Sequence, residues 1–307
     1  MKISTSYLFD RAVTQMTNSQ TSLAQSQAQL SAGKKVLSPS DAPDDATAIQ
    51  RIKSVLARQD SFETSIQSTE NRLKKEESAL GGVSDVLTRL KELAVQASND
   101  TYGAKDREAL AIEMQGLQQD LLSFANTRDE NGAYLFSGSR VTTPAFGADA
   151  NGNIVYQGDE TVNMVEVGDQ RQIQGNRTGT QVFSRVVRTA DDGSQQGVSF
   201  FQSVQDLVDA VRSSDRTKMN RGISEIDNLS QSVSLSVARV GSDTNVIQGQ
   251  RAVLDETKLQ LKTILSNAED LDYTEAVTKM QKQMLALEAS QSGFAKISQL
   301  NLFQYLR

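Results

Sequence analysis

The sequence predicts a mainly α fold: a long-helix bundle whose N- and C-terminal helices pair as a coiled coil, with a small antiparallel β domain inserted between the bundle helices. Three observations carry this. Apolar residues recur every seven positions at both ends of the chain and along its inner segments, the signature of narrow helical stripes. Between about 133 and 188 that pattern gives way to short β-favouring runs separated by Gly, Asn and Asp. The 307 residues are only 37% apolar and 5% aromatic, thin material for one large core.

The first helix carries Phe9, Met16, Leu23 and Leu30, each seven residues after the last, with Ser, Thr, Gln and Ala between them. The stretch "SAGKKVLSPSDAPDDA", residues 31–46, breaks it at Gly33, Pro39 and Pro43. Asp41 ahead of Pro43, with Asp44 following, reads as a capped helix start. A long helix over about 45–99 then shows Ile52, Ile66, Leu73, Leu80 and Leu87, and Gly81-Gly82 is its weakest point. After "SNDTYGAKD" a further helix bears Leu110, Met114, Leu117, Leu121 and Phe124.

The runs "AYLFSGS", "GNIVYQGD", "TVNMVEVG" and "GTQVFSRVV" follow as expected strands, with Asn151-Gly152 turning a hairpin. Residues 199–213 return to helix. The next helix, about 215–265, aligns Ile223, Ile226, Val233, Val237, Val240, Ile247, Leu254, Leu261 and Leu265 on one face. Asp272 and Glu275 form an acidic capping box ahead of the last stripe. That stripe is Tyr273, Val277, Met280, Met284, Leu287 and Phe294, spaced four and three apart, with Gln291 interrupting it. The nested pattern divides the chain into 1–43 with 266–307 as a terminal coiled-coil domain, 44–132 with 189–265 as a helical bundle, and 133–188 as the β insert.

The chemistry available is narrow. His and Cys are absent, so the usual general bases, thiolates, soft metal ligands and disulfides are missing together. Adjacent acids such as Asp44-Asp45 and Asp191-Asp192 read as solvated surface. The stretch "DANGNIVYQGDE" imitates a calcium loop but has Ile154 where the sharp turn needs Gly. No phosphate-cradling glycine loop is present, and the Asn-x-Ser/Thr triplets at Asn99, Asn176 and Asn228 carry no glycan reading. No catalytic, cofactor or metal site is expected. Lys plus Arg number 32 against 38 Asp plus Glu, interspersed, which argues against nucleic acid as a partner. The absence of an apolar run of eighteen residues argues against a membrane span, and residues 1–30 lack the pattern of a cleaved secretory signal.

Both chain ends are unexpectedly apolar for so polar a protein. Ile3, Tyr7 and Phe9 stand at one end and Ile297, Leu302, Phe303, Tyr305 and Leu306 at the other. With the stripes Met16, Leu23, Leu30 and Val277, Met280, Met284, Leu287, Phe294, they are the expected assembly surface. Narrow stripes bury little area and helix nucleation is costly, so the ends are expected to stay largely disordered until neighbours supply apolar surface.

Four segments in order, "MKISTSYLF", "QLSAGKKVLSPSDAPDDA", "ENGAYLFSGS" and "LSNAEDLDYTEAVTKMQKQMLALEASQSGFAKISQLNLFQYLR", resemble the flagellin superfamily of bacterial filament proteins. Within it, the "MKIST" opening and "LNLFQYLR" ending resemble the junction proteins between hook and filament. The resemblance implies terminal helices paired in an inner tube, a bundle outside them and a solvent-facing insert. It implies a non-enzymatic structural adaptor that joins the hook side to the filament and templates flagellin assembly. Its implied partners are copies of itself, the other junction protein on the hook side, flagellin on the filament side, and an export chaperone on the C-terminal helix. It further implies export unfolded through the flagellar secretion channel to the cell exterior. The alternatives are a flagellin, a filament-borne enzyme housed in the insert, and a free-standing coiled-coil signalling protein.

Overall fold

The computed structural model describes residues 5–189 and 195–304, with the backbone only at residues 5, 6, 8 and 297–304. Seven helices lie among these residues: α1 (Thr5–Ala32), α2 (Pro43–Ala97), α3 (Ala104–Ala125), α4 (Gly179–Val182), α5 (Phe200–Arg212), α6 (Arg216–Glu269) and α7 (Tyr273–Gln304). Three antiparallel strand pairs lie between α3 and α5: β1 (Phe146–Ala148) with β2 (Ile154–Tyr156), β3 (Met164–Gly168) with β4 (Arg171–Gln174), and β5 (Val186–Thr189) with β6 (Gln195–Val198). The chain divides into two compact units, residues 1–59 with 256–307, and residues 60–255.

The unit spanning 60–255 is built on heptads. Ile66, Leu73, Leu80 and Leu87 of α2 and Ile226, Val233, Val240, Ile247 and Leu254 of α6 are all buried in one core. Positions seven apart return to nearly the same angle on a helix, so each long helix offers a straight apolar line. Met114 and Leu121 of α3 complete the bundle, and α5 packs on α3. Ser199 caps α5 by accepting from the Gln202 N–H, and Phe200, Phe201, Val204, Leu207, Val208 and Val211 form its buried face.

Glycine works here by allowing close approach rather than by weakening helices. The α2 helix runs through Gly81-Gly82, because Gly82 receives the Phe124 ring of α3. In the same way Gly222 of α6 lies under the Leu207 side chain of α5.

The insert shares this core. Phe183 packs edge-on against Phe200 at 5.2 Å, and Phe146 meets Phe201 at 5.0 Å between ring centroids. The Asn151-Gly152 hairpin forms as the sequence predicts. Gly152 adopts φ +85°, and the Asp149 carboxylate accepts from the N–H groups of Asn151 and Asn153.

Two expected strands are not strands. "AYLFSGS" follows Gly132 and contains Gly138, both at positive φ, and it buries Tyr134, Leu135, Phe136 and Ser137 in succession. Only isolated bridges join it to Arg128 and Thr178. In "GTQVFSRVV" the first residues wind into α4, because the Gln181 side-chain oxygen accepts from the Thr178 N–H, leaving only Val186–Thr189 extended. A buried ion cluster braces the insert. Arg177 donates to Glu76 of α2 at 2.6 Å and pairs with Asp243 of α6. Burial pushes the Glu76 carboxyl up, against the pull of Arg177 and Arg72.

In the other unit, the segments between α1 and α2 and between α6 and α7 are stitched together. Lys35 N–H donates to Glu269 O (2.8 Å), Leu271 N–H donates to Gly33 O (3.1 Å), and Lys34 bridges Asp270. Gly33 adopts φ +67° beneath the Tyr273 hydroxyl. Asp41 does not cap α2: its carboxylate accepts from the Ser38 N–H and closes the preceding turn, while α2 starts at Pro43 with Asp44 and Asp45 in its first turn.

Candidate assembly interface on the terminal helices

The α1 helix is rich in Ser and Thr, residues that compete with helical backbone unless their hydroxyls are placed. Here Thr14, Thr17, Ser19 and Thr21 each donate to the carbonyl four residues back, so these four hydroxyls are placed within the helix. The α7 helix starts where Asp272 Oδ1 accepts from the N–H groups of Thr274 (2.8 Å) and Glu275 (3.2 Å). Acceptors at a helix start satisfy otherwise unpaired donors.

The two helices pack antiparallel. The Phe9 and Phe294 rings lie 4.7 Å apart, and Lys34 pairs with Asp270 near the other end. That register sets Met16 level with Leu287, Leu23 with Met280 and Leu30 with Tyr273. Between these layers fall Ser19 with Gln283 and Ser26 with Ala276. Burial agrees: Met16, Ser19, Leu23, Leu30, Met280, Gln283, Leu287, Ser290 and Phe294 are half-buried, and Ser26 and Ala276 are buried. Large apolar layers therefore alternate with layers of polar or small residues along the seam.

The seam differs from the stripe read in the sequence. Val277 and Met284 lie outside it, 38% and 52% exposed, and the adjoining Leu285 is 68% exposed. Their places in the seam belong to Ala276, Gln283 and Ser290. Gln291 is exposed and interrupts nothing. Tyr7, Phe9 and Tyr273 are exposed as well, although Phe9 holds its ring contact. Ile3, Tyr305 and Leu306 lie outside the described residues, and Ile297, Leu302 and Phe303 lie on α7 with side chains outside them. Sequence reasoning missed Ser19, Ser26, Ala276, Gln283, Ser290 and Leu285. The seven-residue repeat offset by half a heptad from each large stripe was the available signal.

Electrostatics anchor the base of the pair. Glu269, buried at the end of α6, receives Lys34 at 2.5 Å and Lys53 at 2.9 Å. Hydrogen bonds from Lys34 and Lys53 hold its carboxyl below the ordinary range, and Glu269 in turn holds the Lys34 amine above its own. Among the described residues, no group of three or more acids can hold a metal ion, and no helix is long and apolar enough to cross a membrane.

The two helices cover one face of each other and leave Val277, Met284 and Leu285 facing outward. The comparisons with known proteins agree with an assembly role. Residues 3–141 match the bacterial flagellin N-terminal helical region, and residues 223–306 match the bacterial flagellin C-terminal helical region. Flagellar hook-associated protein 3 of Salmonella typhimurium is 26% identical over all of both chains. The protein of the same name from Escherichia coli is 28% identical over 99% of each. The crystal structure of flagellar hook associated protein-3 from Legionella pneumophila superposes with a TM-score of 0.67 at 19% identity, covering 71% of this chain and 98% of that one, a likeness of fold. With the two flagellin regions together spanning most of its length, the chain belongs to the bacterial flagellin family, as a structural component of the flagellum and not an enzyme.

Proposed function

We propose that this protein is the structural adaptor that joins the hook side of a bacterial flagellum to its filament and offers flagellin a template for growth. The observation that carries it is the outward apolar face of α7, Val277, Met284 and Leu285, beside a seam already closed by α1. Apolar side chains left in water gain about 25 cal/mol per Å² when a neighbour covers them, so this face favours stacking of subunits. Identity of 26–28% to hook-associated proteins, against 22% to Listeria flagellins over a comparable share of the chain, supports the junction over the long filament.

In this reading, residues 1–43 with 266–307 form the inner tube, residues 44–132 with 189–265 the bundle outside it, and residues 133–188 the outer insert. The subunits contact copies of themselves, the other junction protein on the hook side and flagellin on the filament side. The chain leaves the cell unfolded through the flagellar export channel, with a chaperone shielding the C-terminal helix beforehand. A cysteine-free chain suits that route, since no disulfide obstructs unfolding. The ends order as they assemble, because a neighbour covering the outer face adds apolar burial that the α1–α7 seam alone lacks.

The test is seeded polymerisation followed by electron microscopy. Protein that adds no length to itself, yet lets flagellin grow from hook ends that otherwise start no filament, supports the adaptor. Long filaments of the protein alone would make it a filament subunit instead.

A further inference from the structure

A cavity of about 410 Å³ opens between β2, α4 and the start of α5, inside the 60–255 unit. Its wall is aromatic, made by Phe146, Tyr156, Phe183, Phe200 and Phe201. These rings hold one another in place: Phe146 lies 5.3 Å from Tyr156 and 5.1 Å from Phe183 between centroids. Gly179 lies close behind two of them, since a Cβ there would stand 2.6 Å from the Tyr156 ring and 2.8 Å from the Phe146 ring. A hollow bounded by rings that fix each other is preformed, and its volume falls within the range of small-molecule sites, about 300–1,000 Å³.

The polar groups of the lining are of two kinds. The Tyr156 hydroxyl is engaged with Phe136 O (3.0 Å) and Asp159 O (2.7 Å), the Thr180 hydroxyl with that of Thr178 (3.0 Å), and the Ser199 hydroxyl with the Gln202 N–H (3.3 Å). Arg185 and Glu160 differ from these. Both are exposed, both line the cavity, and neither side chain has a hydrogen bond or ion pair among the described residues. A cation and an anion thus border one aromatic hollow without meeting each other. A free guanidinium is matched by a carboxylate and a free carboxylate by an ammonium, while aromatic walls favour a ring that stacks offset or edge-on.

We propose that this cavity binds a small apolar zwitterion, an α-amino acid with an aromatic side chain. The ligand's ring enters among Phe146, Tyr156 and Phe201, its carboxylate accepts from Arg185, and its ammonium donates to Glu160. A ligand with only one of the two charges leaves either Arg185 or Glu160 without a partner, so selectivity comes from the pair. The insert then carries a recognition site for a small molecule, built without any residue of the terminal helices.

The experiment is an NMR titration of the full chain with L-phenylalanine. It follows the methyl signals of Ile154, Val155 and Thr180, with those of Val277 and Met284 as controls away from the cavity. Saturable shifts at the first three alone are expected, with a dissociation constant of roughly 1 mM, as ordinary ligand efficiency gives for so small a molecule. Arg185→Gln and Glu160→Gln are each expected to weaken binding about three- to tenfold. Both side chains are exposed and without partners, so neither change disturbs the fold. The probe 3-phenylpropanoate lacks the ammonium and is expected to bind more weakly and not to be weakened further by Glu160→Gln. Phenethylamine lacks the carboxylate and is expected to be insensitive to Arg185→Gln. No saturable shift at concentrations well above that constant, or shifts at the control methyls alone, overturns the site. Binding that both variants leave unchanged overturns recognition of the zwitterion, and so does 3-phenylpropanoate binding as tightly as phenylalanine.

Discussion

Phe124 of α3 lies so close over Gly82 of α2 that a Cβ built on the glycine would stand 2.5 Å from the ring. The neighbouring Gly81 has open space in the same test. Two adjacent glycines thus have opposite meanings. Gly82→Ala is expected to destabilise the chain by about 1–3 kcal/mol through overpacking. Gly81→Ala is expected to stabilise it by about 0.5–1 kcal/mol, by removing backbone freedom from the unfolded chain and improving helix propensity. Urea unfolding of the two variants checks both signs, and equal effects would contradict the contact.

Arg177 pairs with both Glu76 and Asp243 and so fastens the insert to α2 and α6. Arg177→Met leaves the fully buried Glu76 carboxylate with Arg72, at 3.4 Å, as its remaining cation, so a loss of about 3 kcal/mol is expected. Adding Glu76→Leu to that variant is expected to recover part of the loss, because the under-compensated charge goes with it. A double-mutant cycle by denaturant titration measures the coupling.

The insert is expected to be unable to fold alone. Phe146 and Phe183 pair with each other and with Tyr156 and Phe136 inside the insert, but they also depend on Phe201 and Phe200, which belong to α5. An excised segment 133–188 loses those partners, and its proton NMR spectrum is expected to lack the dispersion of a folded domain. In the full chain, Phe201→Ala is expected to cost about 3–5 kcal/mol, read by thermal or urea unfolding.

The clasp at Glu269 has a defined pH dependence. Its carboxyl is held below the ordinary Glu value of 4.5, so its contribution to stability is fully present above that value and is lost as pH falls through the lower, folded-state value. Lys34 is held above its ordinary value, so its share is present below that value and lost only as strongly alkaline pH passes the raised one. Glu269→Gln is expected to flatten the acid limb of the stability curve of assembled protein below pH 4.5 and to lower stability at neutral pH by the clasp's own contribution, which is small because both lysine partners are exposed. Melting curves across pH 3 to 7, roughly the carboxylate range, read the slope.

The two faces of α7 are separable by mutation. Val277→Ser with Met284→Ser removes outward apolar area worth on the order of 1 kcal/mol per covered side chain, so incorporation onto hook ends is expected to fall about tenfold, about 1.4 kcal/mol, with monomer hydrogen exchange unchanged. Leu287→Ser, in the seam, is expected to lower both incorporation and helix protection. Identical behaviour of the two sets would mean that the faces are not distinct.

The sequence by itself determined the rods. Ile66, Leu73, Leu80 and Leu87, and Ile226, Val233, Val240, Ile247 and Leu254, are each spaced by seven and all buried, because a helix of 3.6 residues per turn brings such positions onto one line whatever packs there. The Asn151-Gly152 hairpin was equally legible, since its turn needs a residue comfortable at positive φ. Only the tertiary structure decided which of two neighbouring lines on α7 closes against α1. Val277 and Met284 are as apolar as Met280 and Leu287, and nothing in spacing alone separates them. Pairing with α1 at the register held by Phe9 on Phe294 and Lys34 on Asp270 turns Ala276 and Gln283 inward and leaves Val277 and Met284 outside. Local periodicity states that a helix has an apolar side; the facing surface, which the same sequence supplies from almost three hundred residues away, determines which side is used.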